Sequence, residues 1–287
     1  MARKSAGIPI VTSLAAVVDG HDAIVSDIWG VLHNGVAPFP GAPEALVACR
    51  ESGRPVVLLS NAPRPSSVIY AQLDRLGVPR AAYDAIVTSG DLARRLIAER
   101  AGAPMLHIGP ERDRPLFDGL TLDFRDAAAS DVVVCTGLYD DTVETPEHYR
   151  SLLGGLAARK VPMICANPDI TVERGGSIIN CAGALAQLYA DLGGPVAYAG
   201  KPHPPIYDLV DEVLAGVMGR RPDRRRLLAV GDGLRTDIAG ARAVGMPVVF
   251  VASQIHVTGP LTAATLDDLF PDGSGAPPIA AMSSLVW

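Results

Sequence analysis

What most constrains this chain is a repeated alternation of short, β-branched apolar runs with stretches whose apolar residues recur at helical spacing. "AIVSD" (23–27), "VVLLSN" (56–61) and "AIVTSG" (85–90) are such runs. Between them, "PGAPEALVACRESG" and "PSSVIYAQLDRLG" read as helices stopped by Gly53 and Gly77. A strand without polar alternation is buried on both faces, as in a parallel sheet between two helical layers. The expected class is therefore α/β, built on a doubly wound, Rossmann-like parallel sheet.

The pattern persists beyond residue 90. "MLHIG", "VVVCTG", "PMICAN", "VAYA", "RLLAVGD" and "PVVFVAS" read as further strands, with helices between most of them. "DRPLFDGLTLDFRDAAASD" reads as a polar interval of turns. "GGSIINCAGALAQLYADLG" reads as one helix, because residues 178, 181, 182, 185 and 188 share a face at its spacing. "PDGSGAPP" near the end reads as a loose loop.

Function classes are bounded by charge and apolar content. A formal net charge of −6 and short arginine runs (Arg220-Arg221, Arg224–Arg226) argue against a nucleic-acid partner. No apolar run approaches the roughly 20 residues that cross a bilayer. Arg3-Lys4 ahead of an apolar stretch imitates a signal peptide. Pro9, Thr12 and Ser13 interrupt it, so a short helix capped at Thr12 or Ser13 is expected instead. Cys49, Cys135, Cys165 and Cys181 lack metal-ligand spacing and read as reduced thiols of a cytoplasmic protein.

Ligands of a doubly wound sheet bind at the carboxyl ends of its strands. Asp27, Ser60 and Asp232 each stand where an apolar run stops, so three distant polar residues can share one crevice. Singly, each has an ordinary reading: Asp27 as a helix cap, Ser60-Asn61 as an N-cap, Lys201 as a surface residue, Asp232 and Asp237 as turn and cap residues. Together they form a set comprising a carboxylate nucleophile, a hydroxyl with loop amides, a lysine and a pair of acids suited to Mg²⁺. Phosphoryl transfer through an aspartyl-phosphate needs these parts.

The order "DIWGVL", "LLSNAPRP", "GKPHPPIY", "VGDGLRTDI" resembles the four motifs of the haloacid dehalogenase-like (HAD) superfamily. "CANPDITVERGG" and "INCAGALAQL" ahead of "GKP" resemble its class IIA branch of sugar- and nucleotide-phosphatase-like proteins. The resemblance implies a core of residues 1–88 and 195–287 and an inserted α/β cap of residues 89–194. It further implies that Asp27 is the nucleophile and a Mg²⁺ ligand and that the Trp29 carbonyl is a second ligand. Ser60, with the amides of Asn61 and Ala62, would hold the phosphoryl group, and Lys201 would stabilise it. Asp232 would ligate Mg²⁺ with support from Asp237. Asn167 and Asp169 are implied substrate contacts, with a capping turn as the alternative. Pairing of caps into a homodimer is also implied.

One position departs from that pattern. Phosphatases of this superfamily carry an acid two residues after the nucleophile, whereas this chain has Trp29, whose indole has no titratable proton. His33 and His203 are candidates to replace it. The expected function is a Mg²⁺-dependent phosphohydrolase for a small phosphorylated metabolite, slowed at proton transfer. The alternative is a catalytically weak protein that binds a phosphorylated ligand. A dehalogenase would leave the "GDGLRTD" acid pair unexplained.

Overall fold

The computed structural model describes residues 7–174, 177–252, 257 and 259–287. In chain order its elements begin with β1 (Ala23–Asp27), α1 (Ala42–Glu51), β2 (Val56–Ser60), α2 (Ser66–Arg75), β3 (Ala85–Thr88) and α3 (Ser89–Ala98). Next come β4 (Pro104–Ile108), β5 (Asp123–Phe124), β6 (Val132–Cys135), α4 (Arg150–Ala158) and β7 (Met163–Cys165). β8 (Thr171–Arg174), β9 (Ser177–Asn180), α5 (Ala182–Asp191), β10 (Val196–Tyr198) and α6 (Pro204–Met218) follow. β11 (Leu227–Gly231), α7 (Ala239–Ala243), β12 (Val248–Val251), α8 (Ala263–Leu269) and β13 (Ala280–Met282) complete the chain.

The chain forms two compact units. The first comprises Met1–Leu59, Ala71–Val87 and Tyr207–Trp287. Its sheet is parallel with order β13-β12-β11-β1-β2-β3. Every residue of β1 and β11 is buried, as expected of strands covered on both faces. The chain leaves β1 toward β2 on one side, and β11 lies on the other. This is the topological switch at which such sheets open a crevice. In-register pairing of Ser26 with Val230 puts the ends of β1 and β11 side by side.

The second unit comprises Ser60–Tyr70 and Thr88–Ile206. It has a parallel sheet of order β10-β7-β6-β4-β5 and an antiparallel hairpin, β8–β9. Leu153, Leu156, Leu185 and Tyr189 of α4 and α5 pack with Val133, Cys135 and Met163 of the sheet to make its core. α3 starts at a capping box in which Thr88 and Asp91 exchange side-chain and backbone bonds.

Two sequence expectations are corrected and two are met. The helix expected from residue 175 starts only at Ala182, since Ser177–Asn180 are a strand and Ile178 is 77% exposed. Its first residues, Gly175-Gly176, lie outside the described residues, as do Arg3 and Lys4. The expected short N-terminal helix is present as one 3₁₀ turn, Leu14–Ala16, capped by the Ser13 hydroxyl. The polar interval holds a 3₁₀ helix, Glu111–Phe117, and the short β5. The segment "PDGSGAPP" is a loop as expected, and Ala280–Met282 after it adds an edge strand. All four cysteines are free and buried. Among the described residues, no helix is long and apolar enough to cross a membrane.

His107 in β4 is packed edge-on against Phe117 and hydrogen-bonded through Nε2 to Thr136 Oγ1 at 3.0 Å. Burial, aided by the Arg114 charge, pushes its pKa down to about 4. A histidine held neutral in the fold contributes stability that is complete above about pH 6.5 and is lost as pH falls toward 4. His107→Gln is expected to remove about 3 kcal/mol of that pH-dependent loss, read from denaturant midpoints at pH 7 and pH 4.

Candidate active site

Within the first unit, the switch between β1 and β11 gathers three carboxylates. Asp27 ends β1, Asp232 follows β11, and Asp237 lies in a π-helical turn, Leu234–Ile238, closed by the Ile238 N–H to Gly233 carbonyl bond. All three are buried, and each offers an oxygen within 4.8 Å of the others. Two of these acids are delivered by neighbouring strand ends, so the sheet spacing sets their separation. The third is held by the Gly233 N–H at 3.1 Å and the Thr236 hydroxyl at 3.3 Å, both donating to Oδ2.

Two glycines make room for this cluster. Gly30 has φ +88°, and a Cβ there would come 2.2 Å from Asp232 Oδ2. A Cβ on Gly231 would lie 2.3 Å from that of Asp237. Three buried carboxylates so close repel one another unless a cation or protons compensate them. An all-oxygen donor set of this kind fits a hard divalent ion such as Mg²⁺.

Trp29 lies in the loop after β1, partly exposed, with its indole over Gly35. A Cβ on Gly35 would come 2.4 Å from the ring, and φ there is +88°. His33 meets the indole edge-on at 5.5 Å between ring centres. Its Nδ1 accepts the Gly35 N–H at 2.9 Å, and burial pushes its pKa down to about 4. At neutral pH the imidazole is therefore uncharged, with its proton on Nε2.

The second unit holds the remaining polar residues. Ser60, the last residue of β2, uses Oγ to accept the Ala62 N–H at 3.1 Å. Asn61 is a four-bond staple. Its Nδ2 donates to Asp169 Oδ1 at 2.8 Å and to the Lys201 carbonyl at 3.1 Å. Its Oδ1 accepts the Lys201 N–H at 2.8 Å and the Ser89 hydroxyl at 3.2 Å. Every donor and acceptor position of the amide is thereby used. Lys201 is buried, 3% exposed. Asn167 Oδ1 accepts the Asp169 N–H at 3.0 Å, so these two form an Asx turn joined to the Asn61 staple. His203 stacks on Tyr198 at 4.4 Å, and burial lowers its pKa.

Two residues of the second unit's constellation escaped the sequence reading. Ser89 completes the Asn61 staple. Gly200 is required because a Cβ would lie 2.1 Å from Ser89 Oγ and 2.6 Å from Asn61 Oδ1. The one available signal was the position of Gly200 directly before Lys201.

Comparison with known proteins finds two matching family models. Residues 24–122 match the haloacid dehalogenase-like hydrolase model, and residues 198–272 match a HAD-hydrolase-like model. A crystal structure of a haloacid dehalogenase-like family hydrolase from Brucella suis 1330 is 43% identical. It superposes with a TM-score of 0.85 over 96% of this chain and 100% of its own. D-glycerol 3-phosphate phosphatase of Mycobacterium tuberculosis is 29% identical over 85% of this chain, which spans 66% of that relative. Chronophin of Bos taurus is 27% identical over 90% of this chain and 91% of its own length.

Proposed function

Because the chain belongs to the haloacid dehalogenase-like hydrolase family, we propose that it is a Mg²⁺-dependent phosphatase of small phosphorylated metabolites, working through an aspartyl-phosphate on Asp27. The observation that carries this reading is the buried triad of Asp27, Asp232 and Asp237, each within 4.8 Å of the others. Similarity to proteins named D-glycerol 3-phosphate phosphatase and chronophin supports the substrate class.

In this proposal an oxygen of Asp27 attacks phosphorus as the bond to the leaving oxygen breaks, and water later cleaves the acyl phosphate to free Asp27 and inorganic phosphate. Mg²⁺, held by Asp27, the Trp29 carbonyl and Asp232 with Asp237 in support, would neutralise phosphoryl charge. The Ser60 hydroxyl and the Lys201 ammonium hold the phosphoryl oxygens from the protein side. Loop amides of Asn61 and Ala62 complete that grip, the Ala62 N–H exchanging its bond to Ser60 Oγ for the ligand. The Asn61 side chain positions the segment carrying Lys201. Asn167 and Asp169 face the rest of the substrate. Residues 89–194 would form the inserted cap, and caps of two copies would pair in a dimer.

Proton transfer is the weak step. Trp29 has no proton to lend the leaving oxygen, and neutral His33 and stacked His203 are poor replacements at pH 7. Loss of a general acid typically costs about 10²- to 10⁴-fold. The enzyme therefore favours substrates whose leaving group departs without help.

Metal removal tests the reading. Turnover of 4-nitrophenyl phosphate is expected to vanish after chelation and to return with Mg²⁺ but not with the larger Ca²⁺. Full activity in chelator would refute the metal dependence, and no turnover with or without Mg²⁺ would favour the phospho-ligand-binding alternative.

A further inference from the structure

The second unit carries a pair of arginines that the proposed reaction does not use. Asp141, in the loop after β6, is buried with its side chain 6% exposed. Arg112, from the 3₁₀ helix Glu111–Phe117, donates through Nη2 to its Oδ2. Arg174, the last residue of β8, donates through Nη2 to its Oδ1 at 2.7 Å. Burial pushes the Asp141 carboxyl up, but the two guanidinium hydrogen bonds outweigh it and hold the group ionised.

Asp141 neutralises one of the two guanidiniums it pairs with, and the exposed carboxylate of Asp140 acts on Arg112 only at a distance. Among the described residues, Asp141 is the hydrogen-bond partner of both arginines, whose Nε and Nη1 donors are left over. Their side chains are 50% and 42% exposed. Asp113 also lies within reach of the Arg112 and Arg64 charges, and burial pushes its carboxyl up, favouring its neutral form. Two planar forks aligned by one buried acid are a receptor for an oxyanion.

Inside this unit the charges of the pair reach the neighbourhood of the Asn61 staple. Asn61 bonds Asp169, whose N–H bonds Asn167. Asn167 in turn hydrogen-bonds the Cys181 thiol, which burial pushes up to about 12 and which feels the charges of Asp169, Asp141 and Arg112.

We propose that Arg112 and Arg174 form a subsite for a second anionic group of the substrate, making the preferred substrate a phosphomonoester that also carries a carboxylate or a second phosphate. The proposal rests on the phosphatase reading above. It gives the arginine pair a role that a purely structural ion pair would not have, namely discrimination between substrates of equal size and different charge.

Calorimetry on the full-length Asp27→Asn protein with Mg²⁺ tests it, using the matched pair 3-phosphoglycerate and D-glycerol 3-phosphate. The phosphocarboxylate is expected to bind about tenfold tighter. The Arg112→Gln/Arg174→Gln change should bring the ratio to one. Arg174→Lys, which still neutralises Asp141 but loses the planar fork, should reduce the ratio without lowering the melting temperature. Glucose 1,6-bisphosphate against glucose 6-phosphate reads the same preference for a second phosphate. Preference in either pair, lost with the arginines, supports the subsite. Equal binding within both pairs, or a preference that survives the double change, overturns it. Failure of the wild-type chain to turn over 4-nitrophenyl phosphate would sink the phosphatase reading separately, since the binding ratios decide the subsite without turnover.

Discussion

Asp27→Asn is expected to lower kcat for 4-nitrophenyl phosphate by about 10⁴-fold or more while leaving the chain folded. Removing a covalent nucleophile, the role proposed for Asp27, commonly costs this much. The amide keeps the size and one oxygen of the acid, so packing at the end of β1 is retained. Steady-state rates at saturating Mg²⁺, with circular dichroism as the control for folding, give the answer. Turnover surviving the change would assign the chemistry to another residue.

The opposite effect is expected from Trp29→Asp. An acid at this position adds a fourth carboxylate beside the buried trio, and like charges raise its pKa into the range useful for proton transfer. Turnover of an alkyl phosphate, with its poor leaving group, should rise by about 10²-fold or more. With 4-nitrophenyl phosphate the wild type should release one equivalent of nitrophenolate in a burst, then run slowly. The good leaving group needs no acid, whereas opening the aspartyl-phosphate needs a base for water. Trp29→Asp should abolish the burst by speeding that second step. Lost packing of the indole on Gly35 and His33 should lower stability by about 1–3 kcal/mol, so activities are to be compared below the variant's melting point. A variant with neither faster alkyl turnover nor a lost burst would show that proton transfer does not limit this protein.

Legibility in the sequence followed physical type. Strands buried on both faces, such as β1 and β11, announce themselves as unbroken apolar runs. The acids that close them were visible for the same reason, because an Asp at the end of such a run interrupts a clear signal. The β8–β9 hairpin was hidden because Ile178 falls on the helical spacing of Cys181, Ala182, Leu185 and Leu188, although it is exposed. The Gly-Gly between the two strand sequences was the competing hairpin cue. Arg112, Asp141 and Arg174 were illegible as a group, since they lie 29 and 33 residues apart in segments with no periodic pattern. Asn61 was legible as a loop residue after a strand, whereas its three partners, Ser89, Asp169 and Lys201, depend on chain crossings that no local rule encodes.

That staple has a kinetic consequence. Asn61 reaches Lys201 across 140 residues and Asp169 across 108. Pairings so distant in sequence form late, because loop closure must precede any gain from them. During synthesis Asn61 emerges early, yet its amide waits for the segment around residue 200 before two of its four bonds can close. A chain halted before that segment would lack both bonds between Asn61 and Lys201. The Asn61 staple is thus a marker of complete folding, and its formation should coincide with the slowest refolding phase.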